Sequence, residues 1–206
     1  MRSLTHLLER NRAWADGRRA SDPQFFDRLC ETQQPKYMWI GCSDSRVSAN
    51  EIVGMGSGEV FVHRNVANIV APGDTNSMAV VQYAVERLGV RDIIICGHYG
   101  CGGVRAVLEG GASGIPAHVQ SWLSPLQRLA ASRSVDLAEI SDPADRWRRL
   151  CELNVMEQVQ RLLASDVLVD AALRGVEVIA HGWIYDLRDG LLRDLAVSRA
   201  GAAYPA

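Results

Sequence analysis

An α/β fold, with a mostly parallel central sheet, an antiparallel edge strand and flanking helices, follows from three observations. Short apolar runs alternate with stretches of helical periodicity along the chain, the order expected of an open sheet wound with helices. Residues 90–96 (VRDIIIC) form a near-continuous β-branched run, the kind a parallel sheet covered on both faces requires. Near the end, Asp189-Gly190 is a hairpin signal that turns the last strand back antiparallel.

The elements follow in order. The first forty residues read as helical and then switch. Asp22-Pro23 pairs a cap with a proline suited to the first helical position, and Phe26, Leu29 and Cys30 then share one face. Pro35 ends that segment, and Tyr37 to Ile40 is a short apolar strand that stops at Gly41-Cys42. A second strand is expected at 59–63 (EVFVH). Asn76 is a candidate cap for a helix carrying Met78, Val81, Val85 and Leu88 and closed by Gly89. The strand at 90–96 runs into a glycine-rich turn, Gly97 to Gly103, and a helical stretch, and 110–116 (GGASGIP) is a loop. Ser141-Asp142-Pro143 opens a long helix carrying Leu150, Leu153, Met156, Val159 and Leu163. Gly175 closes another helix, 176–185 is a strand, and the hairpin leads into 191–197. With no internal repeat or low-complexity tract, the organisation is a single domain over 1–206: a helical arm at 1–35 and an α/β core at 36–206.

Composition narrows the function. The 206 residues carry 24 acidic and 22 basic groups, so the basic excess of a nucleic-acid surface is missing. Lys36 is the single lysine, which excludes a Walker-type phosphate loop and leaves little room for Schiff-base chemistry. No run approaches the roughly 18 apolar residues of a membrane span. The N-terminus alternates charges with apolar residues, unlike a signal peptide. Five cysteines, an odd number, argue against a complete disulfide framework. A cytoplasmic protein whose thiols are free or metal-bound is expected.

In such sheets functional groups gather at the carboxyl ends of strands. Three expected strands end in reactive groups: Cys42-Ser43-Asp44-Ser45-Arg46, His63-Arg64-Asn65, and His98-x-x-Cys101. Two thiolates and an imidazole suit Zn²⁺, and three protein ligands leave the fourth position open, as in catalytic sites. Asp44, held ionised by Arg46, can orient a water there; unpaired, it could take the open position itself. Cys30, Cys96 and Cys151 lie in apolar patterns and read as small buried hydrophobes. His63 reads as a core histidine rather than a proton shuttle.

The motifs C-S-D-S-R (42–46), F-V-H-R-N-V-A-N (61–68) and G-H-Y-G-C-G-G (97–103) closely resemble the β-class carbonic anhydrases. The resemblance extends through C-E-L-N-V-M-E-Q-V (151–159) and H-G-W-I-Y (181–185), covering most of the chain. It implies the fold of that family and one zinc per subunit on Cys42, His98 and Cys101. It also implies reversible conversion of carbon dioxide to bicarbonate, with Asp44 and Arg46 as catalytic dyad, Gln33 as a catalytic glutamine that hydrogen-bonds substrate across a dimer interface, and Tyr83 at the same substrate cleft. The arm would embrace a partner subunit in a homodimer or a tetramer made of two dimers. A finer resemblance is to a bicarbonate-regulated, type II bacterial subgroup. There a tryptophan, an arginine and a tyrosine, matched here by Trp39, Arg64 and Tyr185, bind a non-catalytic bicarbonate and favour a closed state with Asp44 on zinc. Ser48 departs from the proline that many relatives carry. Two rival readings are a hydrolase with Cys42 as nucleophile and His98 as base, and a zinc-bound bicarbonate sensor without turnover.

Overall fold

The computed structural model describes residues 3–110 and 115–201. It divides into two compact units, residues 1–34 and 35–206.

The first unit is a helical pair, α1 (Thr5–Ser21) and α2 (Phe25–Glu31). Trp14 meets Phe25 and Phe26 edge-on, with ring centroids 6.3 and 5.8 Å apart. Asp22 does not cap α2: it accepts from the Gln24 N–H at 3.2 Å and shapes the turn before the helix. None of the residues in α1 or α2 is buried. Cys30 is therefore exposed rather than buried, because two short helices are too small to enclose it.

The second unit holds the sheet. Its elements are β1 (Tyr37–Cys42), α3 (Ala49–Ile52), β2 (Val60–Asn65), α4 (Thr75–Gln82), β3 (Asp92–His98) and α5 (Gly102–Leu108). There follow α6 (Ala117–Trp122), α7 (Ser124–Ser132), α8 (Ser134–Ala138), α9 (Pro143–Leu163), α10 (Asp166–Leu173), β4 (Ile179–Asp186), β5 (Leu191–Asp194) and β6 (Arg199–Ala200). The strand order is β2-β1-β3-β4-β5, with β6 also on β4. The first four strands are parallel, and β5 and β6 run antiparallel to β4. The fold class read from the sequence is thus the one observed. The glycine-rich loop expected at 110–116 falls partly on residues 111–114, outside the described residues.

Local chemistry explains the elements. Central β1 and β3 are buried along nearly their whole length, as unbroken apolar runs require, whereas β4 alternates between buried and half-buried positions. α9 begins where Asp142 accepts from the N–H groups of Ala144 and Asp145, with Pro143 in its first turn. α4 is capped by Asp74, which accepts from the N–H groups of Asn76 and Ser77, and not by Asn76. A five-residue π-turn, Tyr83–Arg87, extends it. One sheet face packs Met38, Ile40, Ile93 and Ile95 against Val155, Val159 and Leu162 of α9. The other gathers Trp39, Ile94 and Cys96 with Trp183 and Tyr185. Full burial of each such side chain stabilises by about 1.5–3 kcal/mol. Both faces serve one end: they hold rigid the carboxyl ends of β1 and β3, where the candidate ligands lie.

Candidate metal centre

Cys42 is the last residue of β1, and His98 the last of β3. The chain then turns through Gly100, at φ +77°, to Cys101 just before α5. That positive φ suits glycine, and it brings the second β3 ligand back beside the first. The ligand atoms of Cys42, His98 and Cys101 lie within 4.8 Å of one another, all on buried residues. The two sulfurs are 3.9 Å apart.

His98 shows what the cluster is built for. Its Nδ1 pairs with the Tyr99 carbonyl at 3.1 Å, while Nε2 is buried without a hydrogen-bond partner among the described residues. An Nδ1–H given to a carbonyl leaves the Nε2 lone pair free and aimed, the tautomer and orientation a metal ligand needs. A buried nitrogen with no partner would otherwise be costly. The Cys42 thiol is held well below its usual range by the Cys101 thiol and by N–H groups of Asp44 and Ala67. The Cys101 thiol is raised by Cys42 and by burial. Two sulfurs and one nitrogen converging in this way fit Zn²⁺, which is this centre's metal.

The surrounding chain aims these groups. Ala67 and Asn68 adopt positive φ, 64° and 46°, a left-handed stretch that side-chain-bearing residues seldom occupy and that costs of order 1 kcal/mol or more per residue. α9 holds it in place. Buried Asn154 donates to the Ala67 carbonyl at 2.9 Å. Gln158 donates to Asn154 at 2.9 Å and accepts from the Val70 N–H at 2.9 Å. Trp147, also on α9, donates to the Cys101 carbonyl at 3.1 Å. The sequence reading assigned no role to Asn154 or Gln158. Their signal was two amides at i, i+4 on an otherwise apolar helix face.

Asp44 and Arg46 are joined as expected. Arg46 Nε and Nη2 donate to the two carboxylate oxygens at 2.9 and 2.7 Å, and its backbone N–H adds a third bond at 3.0 Å. The hydrogen bond from the Arg46 guanidinium holds the Asp44 carboxyl well below the usual carboxylate range. Asp44 Oδ2 stands 3.8 Å from His98 Nε2, beside the metal position without being a member of the cluster.

Arg64 donates to the backbone carbonyls of Cys42 at 2.9 Å and Asp44 at 2.5 Å, so it ties down the loop that carries a ligand and the dyad. Trp39 is fully buried on the sheet face that also carries Tyr185. A Cβ on Gly41 would meet the Trp39 indole nitrogen at 2.5 Å; only glycine lets that ring lie along the strand. Tyr83 is exposed and stacks on Phe61, with centroids 5.9 Å apart. Gln33 is exposed in the segment after α2, in the first unit. His63 is half-buried, between Asn65 Nδ2 at 3.2 Å and Ser77 Oγ at 3.4 Å. Cys96 and Cys151 are buried and packed in the core, as read; burial pushes the Cys151 thiol up to about 12.

Comparison with known proteins agrees with this centre. The family model for carbonic anhydrase matches residues 37–192. A carbonic anhydrase of Emericella nidulans is 44% identical over 195 residues, 95% of this chain and 84% of that protein. One from Pseudomonas aeruginosa is 35% identical over 170 residues, 81% of this chain and 76% of that one. A Coccomyxa β-carbonic anhydrase, solved with acetazolamide, superposes with a TM-score of 0.92 at 36% identity, covering 98% of this chain and 90% of that one. A tetrameric β-carbonic anhydrase from Sordaria macrospora gives a TM-score of 0.88 at 38% identity, over 95% and 98% of the two chains. The chain belongs to the β-class carbonic anhydrase family.

Proposed function

We propose that this protein hydrates carbon dioxide reversibly to bicarbonate and a proton. The observation that carries the reading is the buried Cys42–His98–Cys101 cluster, with His98 Nε2 free and the Asp44–Arg46 pair alongside. Zinc held by Cys42, His98 and Cys101 would supply the Lewis acidity that lets a water molecule ionise at about pH 7. The chain's own residues do the rest. Asp44, ionised and pinned on both oxygens by Arg46, accepts one hydrogen from the water and turns its lone pair toward the carbon. The cluster is buried while Asp44 is partly exposed, so product and proton leave past Asp44. Gln33, acting across a dimer interface, steadies the product oxygen and Tyr83 borders the cleft, roles that rest on the resemblance of their positions. A homo-oligomer, dimer or tetramer, is proposed on the same ground and on the tetrameric Sordaria relative.

The regulatory reading concerns Trp39, Arg64 and Tyr185. It is supported by the bonds from Arg64 to the carbonyls of Cys42 and Asp44: an anion that draws the guanidinium away loosens the loop bearing Asp44. Released from Arg46, Asp44 would offer its carboxylate as a further zinc ligand and close the site. Stopped-flow CO₂ hydration on zinc-loaded wild type and Asp44→Asn tests the catalytic reading; equal rates in the two would overturn the role of Asp44. Bicarbonate inhibition in Trp39→Ala and Arg64→Ala tests the regulatory one. Weakened inhibition with zinc retained is expected, and unchanged inhibition in both variants would remove it.

A further inference from the structure

A cavity of about 260 Å³ opens on the outer side of the turn between His98 and Cys101, and its lining is unlike that of the metal centre. Three arginines, Arg46, Arg148 and Arg188, line it with a single acidic residue, Asp186, and its aromatic lining residues are Tyr99 and Trp147. Asp186 is largely consumed by its own bonds. It is buried, accepts from the Arg188 N–H at 3.0 Å and from Arg148 Nη2 at 3.3 Å, and lies 3.8 Å from Arg193. Its charge thus positions the arginines more than it neutralises the cavity.

Two of the three arginines are held in place. Arg148 lies over the Tyr99 ring, its guanidinium carbon 3.7 Å from the centroid, and Tyr99 is itself fixed by donating to Glu152 at 2.7 Å. Arg46 spends Nε and Nη2 on Asp44, while its Nη1 and the whole Arg188 guanidinium make no hydrogen bond among the described residues. One guanidinium stacked on Tyr99, beside two that keep unspent N–H donors, matches the paired oxygens of a carboxylate or phosphate. The volume exceeds what a bare oxyanion fills, and the indole and phenol walls suit a flat apolar body.

We propose that this cavity is a second anion site, taking a small organic oxyanion: a carboxylate or phosphate carried on a body the size of one aromatic ring. Trp39, Arg64 and Tyr185 are not among its lining residues, so it is distinct from the bicarbonate site proposed above, and it stands whether or not that reading does.

Isothermal titration of the zinc-loaded protein with phenyl phosphate, benzoate and inorganic phosphate tests it, with zinc content and thermal melting as controls of folding. Phenyl phosphate or benzoate should saturate one site per chain more tightly than inorganic phosphate. Binding should weaken at least tenfold in Arg188→Ala and in Arg148→Gln. Arg188 is exposed, so its variant keeps the test open should Arg148→Gln fail to fold. Equal affinity in wild type and Arg188→Ala would place the ligand elsewhere, on the metal for instance, and overturn the proposal. So would the absence of saturation by either aromatic probe up to about 10 mM, a range in which even weak sites fill. Benzoate binding without phenyl phosphate, or the reverse, identifies which oxyanion the site takes.

Discussion

Asp44 is held by three bonds to Arg46, and in the proposed reaction that pairing makes its direction count for more than its charge. Asn at this position keeps the shape but offers an N–H₂ where an acceptor is needed. Asp44→Asn should therefore lower kcat/KM by about 10²-fold to 10⁴-fold, the range for a positioned proton acceptor, while zinc content measured by atomic absorption stays at wild-type level. Gly41 makes a different demand. Gly41→Ala puts a methyl where the Trp39 ring lies, and a forced repacking of this kind costs about 1–3 kcal/mol. It should lower Tm and shift the tryptophan fluorescence; a wild-type Tm and spectrum would contradict the close approach. The ligand cluster and the Asp44–Arg46 pairing were legible in the sequence because strand ends, spacing and ligand chemistry all point to them. The bonds from Arg64 were not, because they depend on the register that sets Gly41 opposite Arg64 across β1 and β2.

α9 works as a scaffold for the strained segment at 66–70. Gln158→Leu removes the acceptor for the Val70 N–H and the donor to Asn154. The loss of a buried pairing should cost about 1–3 kcal/mol, seen as a lower denaturation midpoint. Activity should fall as well, because the same segment presents the Ala67 N–H to Cys42. β2 and α4 are linked by His63, Ser77 and Asp74. Burial lowers the His63 pKa below its ordinary value, with Asp74 opposing. A histidine harder to protonate in the folded state than in the unfolded one leaves stability intact above its unfolded pKa of about 6.5 and erodes it as pH falls below that value. His63→Gln should flatten the fall in Tm between about pH 7 and pH 5; an unchanged slope would contradict this. The start of α9 was legible because Asp142-Pro143 combines a cap with a helix-starting proline. The α4 cap was misread, since Asp74 and Asn76 are both competent and only backbone geometry separates them. The short helices of 117–138 left no clear trace, being brief turns without strong caps.

In the second unit, a four-stranded parallel core delivers ligands from two neighbouring strand ends into a buried position, and an antiparallel hairpin closes the sheet edge. That architecture was legible because the apolar runs and turn signals agree with one another. The packing of the first unit was less so: its helices bury no residue, and the exposure of Cys30 could not be read from a helical pattern alone. Catalysis at this centre depends on the metal. Zinc can be stripped with a strong thiolate-competing chelator and returned in steps while CO₂ hydration is followed by stopped flow. Activity should vanish in the stripped protein and return in proportion to bound zinc, reaching its plateau at one zinc per chain. Hydration that persists without zinc, or a fully reloaded protein that does not hydrate CO₂ at any pH from about 7 to 9, would contradict it.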